Sequence, residues 1–261
     1  AGDRPFFAFL NFYDAHEPAW PPAPFDARFG PPRRGNSLGY EGPIDKATGH
    51  GLTAEEIQAE RDAYDGAIAY LDRQIGELLE ALQRRGQLER TVVVVTSDHG
   101  QEFDEHGVMG HGASLYLPSI HVPLLFSFPG AIPQGVRVQP PVSLRDVAAT
   151  LLDVLGTAPH ELPGASLAPL WQGPAKNGRV QPVLSEVRKA QWAPAWYPVA
   201  QSDLHSAIVG RHHLICGPGA REELYDIESD PWETHDLRGT AEGGRIAEEI
   251  SHAWKASQHA S

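Results

Sequence analysis

Two apolar runs of this chain each lead closely into an aspartate and a histidine: Asp14 with His16, and Asp98 with His99. Each pair follows a dense apolar run, residues 6–12 and 92–95, and open α/β sheets bind ligands just beyond the C-terminal ends of such strands. A carboxylate oxygen beside an imidazole nitrogen is a donor set for a divalent ion. Its softness suits Zn²⁺, Mn²⁺ or Fe²⁺, whereas Ca²⁺ favours oxygen alone. Gly100 allows a sharp turn after the second pair, so both side chains can bend towards one ion. The segment up to Gly112 adds Glu102, Asp104, Glu105, His106 and His111, set among four glycines counting Gly100. The plainer alternative is a loop in which Asp98 caps the next turn and His99 is merely polar. An isolated histidine in a glycine-rich loop, as His111 is, is most often solvent-exposed. A serine-hydrolase triad at Ser97-Asp98-His99 fails on geometry, because the histidine must stand between nucleophile and carboxylate.

The elements that must position these residues are legible in the apolar pattern. Phe6-Phe7-Ala8-Phe9-Leu10-Asn11-Phe12 reads as a strand buried on both faces, followed by a Pro/Gly-rich surface excursion over residues 18–51. A helix is expected from a Thr53 cap, with Glu56 completing a capping box and Gly86 as its stop. Its apolar face would carry Ile57, Tyr64, Ile68, Leu71, Ile75, Leu78 and Leu82. Buried strands follow at 91–96 and 122–128, then a helix from the Ser143 cap to Gly156. The alternation argues for an α/β sheet covered on both faces. Beyond Trp171 a linker at 173–178 leads to short strand candidates at 183–187, 207–216 and 223–227, then a helix from about Arg245. The expected domains are therefore a core over 1–172 and a small antiparallel subdomain over 173–261.

Composition narrows the function classes. A formal charge of −13 over 261 residues argues against nucleic-acid binding, which needs clustered Lys and Arg to release counterions. The longest purely aliphatic run, Val92–Val95, is far short of the roughly 20 apolar residues that cross a bilayer. One cysteine precludes an internal disulfide.

Short motifs follow one another from Tyr64 to Pro123, beginning with Tyr64-Asp65, Leu71-Asp72, Ile75-Gly76-Glu77-Leu78-Leu79, Arg85-Gly86 and Thr91-Val92-Val93-Val94. They continue through Thr96-Ser97-Asp98-His99-Gly100, Gly110-His111-Gly112, Ser114-Leu115-Tyr116 and Val122-Pro123-Leu124. Flanking stretches add Asp14 to Pro22 with its histidine before a proline, Pro141 to Gly156, and Leu224-Tyr225-Asp226 before Asp230-Pro231 and Glu233. In this order the motifs resemble the sulfatases of the alkaline phosphatase superfamily.

What the resemblance implies is specific. The fold would be α/β, an alkaline-phosphatase-like and mostly parallel sheet between helices, with the small antiparallel subdomain at the C-terminus. Asp98 and His99 would ligate one divalent metal ion, Ca²⁺ by resemblance, with Mn²⁺ or Zn²⁺ admitted by the histidine. His16 would face the leaving group or the ester oxygens. A lysine normally follows the metal pair by about a dozen residues and holds the anionic oxygens; this chain has His111 there, twelve residues after His99. The activity would be hydrolysis of sulfate esters on a small molecule or glycan, with phosphodiester or phosphonate monoester hydrolysis as the close alternative. The setting would be extracytoplasmic, periplasmic or secreted. The family's nucleophile and its other acidic ligands lie upstream of the Asp-His pair, so the 261 residues are expected to be a C-terminal portion, inactive alone. Cys216-Gly217-Pro218-Gly219-Ala220-Arg221 is the nearest match to the Cys/Ser-x-Pro-x-Arg nucleophile motif, but its arginine is one residue late and it follows the metal pair. A half-buried structural thiol fits it better. The rival from another class is a non-catalytic binding module that keeps the fold.

Overall fold

The computed structural model describes residues 4–32, 52–157, 162–172, 182–217 and 222–258. The expected linker at 173–178 and most of the 18–51 excursion lie outside them. The chain forms two compact units, Ala1–Gly86 and Gln87–Ser261.

In the first unit, helix α1 (Ala54–Arg84) begins as the sequence predicts. Thr53 accepts the Glu56 N–H, and the Glu56 carboxylate returns to the Thr53 N–H at 2.8 Å. Its buried stripe differs from the expected one. Glu60, Ala63, Gly66 and Ala67 are buried, whereas Ile68 and Leu78 remain about two-fifths exposed. Small residues win because the proline-rich segment packs directly on the helix: Ala19 joins Ala63 and Ala67, and a Cβ on Gly66 would lie 2.6 Å from the Phe25 carbonyl oxygen. The run at residues 6–12 is not a strand. It is irregular, and Phe6, Phe7, Phe9 and Leu10 are exposed. An extended segment becomes a strand only by pairing, and no described strand pairs with it.

In the second unit, β1 (Val93–Thr96), β2 (Glu102–Phe103), β3 (Met109–Gly110), α2 (Leu117–Ile120) and β4 (Leu124–Ser127) follow one another closely. Next come α3 (Val147–Val154), α4 (Ala168–Trp171), β5 (Val183–Val187), α5 (Pro198–Gln201), β6 (Leu204–Val209), β7 (His212–Cys216), β8 (Glu223–Asp226) and α6 (Ala241–Gln258). The mostly parallel sheet is not found among the described residues: every described strand pairing is antiparallel. A parallel pair needs a crossover that carries the chain back to the starting edge. The 97–123 segment instead turns over beside the end of β1 and delivers β4 there, with Thr96 opposite Leu124. Thr96 Oγ1 donates to the Pro123 carbonyl at 2.8 Å and closes that end.

The C-terminal sheet is antiparallel, as expected, with the order β5-β6-β7-β8. The single run expected at 207–216 is a hairpin. Gly210 adopts φ +59 in its two-residue turn, the left-handed value such turns demand. Ala207, Leu214 and Leu224 on the sheet pack with Ala247 and Ile250 of α6. Burying each large aliphatic side chain there contributes about 1.5–3 kcal/mol. Among the described residues no helix is long and apolar enough to cross a membrane.

Candidate metal centre and active site

Asp98 and His99 sit where β1 ends. Ser97 Oγ donates to the His99 carbonyl at 2.7 Å, and Asp98 Oδ1 accepts the His99 N–H at 3.1 Å, so the turn is tied through its own side chains. Gly100 follows, but not because a left-handed turn needs it. An added Cβ would lie 2.0 Å from the Pro118 carbonyl oxygen, and the Gly100 N–H donates to the Ser119 carbonyl at 2.8 Å. The glycine lets α2 close onto the end of β1.

The ring of His99 is oriented. Its Nδ1 donates to the Gly100 carbonyl at 2.9 Å, which makes Nε2 the lone-pair nitrogen. That Nε2 lies 3.8 Å from Asp98 Oδ1. One ion held at about 2.0–2.4 Å from each atom spans such a gap. The Asp98 side chain is 88% exposed, so its charge carries little desolvation cost before an ion binds. These two residues therefore fit a divalent metal.

His111 stands against His99. The two rings stack with centroids 3.9 Å apart and planes 19° from parallel. His111 Nδ1 donates to Gln101 Oε1 at 3.1 Å, which turns its Nε2 away from that contact. Gly110 and Gly112 flank it with φ +93 and +71, left-handed values that favour glycine at both positions. His16 belongs to the first unit and has a local frame of its own. It stacks on Tyr13 at 4.2 Å, and its Nδ1 donates to the Glu17 carbonyl at 2.7 Å.

The remaining acids of the glycine-rich segment build the loop. Asp104 turns at φ +73, Glu105 Oε2 accepts the Phe103 N–H, and His106 stacks on Tyr116 at 3.6 Å. Glu102 is fully buried, and its Oε2 accepts both Ser114 Oγ at 2.8 Å and Ser119 Oγ at 2.7 Å. The sequence listing of acids gave no sign of that role. Its donors, Ser114 and Ser119, stand 12 and 17 positions away and become its partners only in the fold. A cleft of about 1330 Å³ opens beside Asp98 and His99 and continues along β4.

Burial pushes the Glu102 carboxyl up to about 7; the Ser119 and Ser114 hydroxyls oppose the shift, and Glu105 and Glu233 add to it. The sign follows from linkage. Between the ordinary carboxyl value and about 7 the folded chain holds a proton that the unfolded chain has lost. The stability this confers is complete at low pH and is lost as pH rises through that window, on the order of 3 kcal/mol in all. Glu102→Gln is expected to flatten the fall of the urea midpoint between pH 5 and pH 8. Parallel slopes for the two proteins would remove Glu102 as the cause.

Comparison with known proteins identifies the family. The sulfatase family profile matches residues 1–157, and the profile described as N-sulphoglucosamine sulphohydrolase, C-terminal, matches residues 104–260. Choline-sulfatase of Rhizobium meliloti (strain 1021) is 32% identical over 197 residues, which cover 74% of this chain and 36% of that protein. Arylsulfatase K of Homo sapiens is 32% identical over 193 residues, covering 69% of this chain and 34% of that protein. The chain thus spans about a third of the length of these relatives. Among solved structures, the phosphonate monoester hydrolase of Agrobacterium radiobacter superposes with a TM-score of 0.67 at 27% identity, over 79% of this chain and 43% of that one. A protein solved in complex with its substrate D-glucosamine-2-N,6-O-disulfate gives 0.67 at 26% identity, over 78% and 41%. With a family match over more than half its length, lying across Asp98, His99 and His111, this chain belongs to the sulfatase family of the alkaline phosphatase superfamily.

Proposed function

We propose that this chain supplies one side of a metal-dependent sulfate-ester hydrolase site, with Asp98 and His99 as metal ligands and His111 and His16 as the groups that meet the ester. The observation that carries the reading is the His99–His111 stack beside Asp98 at the end of β1. It sets the imidazole that we assign to the anion one ring thickness from His99 of the proposed metal-ligand pair. A bound divalent ion would polarise the ester oxygens as a Lewis acid, and Ca²⁺, Mn²⁺ and Zn²⁺ all suit an oxygen-plus-imidazole pair to differing degrees. His111, oriented by Gln101, would hold a non-bridging oxygen of the tetrahedral anion through Nε2–H when the ring carries both protons. His16, whose Nδ1–H is committed to the Glu17 carbonyl, would protonate the leaving-group oxygen from Nε2 when the ring carries both protons, and would be left as the neutral imidazole. No residue of these 261 matches the family's nucleophile position.

The test uses the protein as its gene encodes it, with 4-nitrophenyl sulfate and 4-nitrophenyl phenylphosphonate as probes. Metal-dependent turnover of the sulfate, lost on chelation, is expected, while the 261-residue chain alone is expected to give none. The phosphonate monoester reading draws on the Agrobacterium radiobacter structure. It prevails if kcat/KM for the phosphonate exceeds that for the sulfate. Absence of turnover on both probes in metal-loaded protein would defeat the hydrolase reading.

A further inference from the structure

The loop that carries His111 is held by a carboxylate from far along the chain. Glu233 Oε2 accepts the Leu117 N–H, the first of α2, at 2.7 Å across 116 positions of sequence. Its other oxygen takes the Nδ1 proton of His213 on β7, and both side chains are fully buried. Glu233 also holds φ +55, a left-handed value that non-glycine residues seldom adopt. Helix N-termini are ordinarily capped by a neighbouring Ser, Thr, Asp or Asn, or by water. Burying a carboxyl group to serve one such N–H is costly unless position matters more than capping.

The surrounding contacts point the same way. Tyr116 Oη donates to Glu223 of β8 at 2.8 Å, the Val199 N–H donates to the Ala113 carbonyl at 3.1 Å, and Tyr197 Oη accepts the Met109 N–H at 3.1 Å. Burial and the charge of Glu223 push the Tyr116 phenol far above its ordinary range, so it stays a donor. His111 lies inside this set of ties, between Met109 and Ala113.

We infer that the Glu233–His213 pair is a positioning device that sets the 109–117 loop, and with it His111, against His99. Glu233 acts through the loop and touches no reacting group. The inference rests on the proposed function for its catalytic consequence, though not for its structural one. A displacement of the loop by about 1 Å would suffice to slow the chemistry markedly.

Two arms test it. In the 261-residue chain, hydrogen exchange is followed in the 107–121 segment and in β6–β7. Glu233→Ala is expected to speed exchange in the first by about tenfold or more and leave the second unchanged. Glu233→Gln, whose amide carbonyl can still accept the Leu117 N–H, is expected to stay within about threefold of the parent. In the protein as its gene encodes it, Glu233→Ala is expected to lower kcat on 4-nitrophenyl sulfate about 10- to 100-fold with KM nearly unchanged, and Glu233→Gln to restore most of it. If Ala does not fold, Glu233→Asp, one methylene short of Leu117, is expected to give the same split. Unchanged exchange at 107–121, equal acceleration in β6–β7, or a loose loop with parental kcat would each overturn the inference. Should the parent protein turn over no sulfate, the proposed function fails, and the exchange arm still decides whether Glu233 sets the loop.

Discussion

Asp98→Ala is expected to abolish both tight metal binding and turnover in the protein as its gene encodes it, with little change in stability. The side chain is almost fully exposed, and its one described hydrogen bond is to the N–H of the next residue. Removing it therefore opens no cavity and strands no buried partner, so the stability change should stay within about 0.5 kcal/mol. The metal is another matter. A Lewis acid contributes several kcal/mol of charge stabilisation in the transition state, and each 1.36 kcal/mol is tenfold in rate. Losing the anionic ligand should cost about 10³-fold or more. Metal content by mass spectrometry, turnover and the thermal midpoint decide the matter together. Chelation should bring the parent down to the level of the variant and leave the variant where it was. If metal content and turnover both survive the substitution, Asp98 is not a ligand.

How much of this was legible in the sequence depends on whether a feature is fixed locally. The Thr53–Glu56 capping box, the ends of β1 and β4, the β5 limits and the Asp98-His99 turn all depend on neighbours within a few residues, and the sequence places them well. The run at 6–12 shows the opposite case. Its composition says buried strand, but burial and pairing need a partner segment, and among the described residues none pairs with it. Strand direction failed for the same reason: composition cannot show whether the 97–123 segment crosses over or turns back. Gly100 was read as a residue that permits a turn, whereas the space it leaves is filled by the Pro118 carbonyl. Nothing in the sequence marks Glu102 or Glu233 as buried. Only the tertiary structure supplies Ser114, Ser119, His213 and the Leu117 N–H, without which such burial would be too costly.

His111→Ala should lower turnover about 10²- to 10⁴-fold, the range for a positioned group that meets charge in the transition state. The geometry adds a sharper expectation. Gln101 Oε1 accepts the His111 Nδ1 proton, so Gln101 fixes which nitrogen His111 presents and where the ring points. Gln101→Ala should then cost less, about tenfold, and that cost should vanish once His111 is already alanine. Additive effects would mean that Gln101 acts on its own account. His111→Lys is the informative companion, because lysine stands at this position in the commoner form of the family motif. Lysine cannot stack on His99 as an imidazole does, but it can deliver a cation to the same anionic oxygen. If His111 serves the anion, Lys should recover at least about tenfold of the loss seen with Ala. If instead the ring matters because it packs on His99 and holds the metal ligand, Lys should be as poor as Ala and metal affinity should fall with both. Turnover and metal affinity measured on the three proteins separate the two roles, and equal activity of Ala and parent would remove His111 from the site altogether.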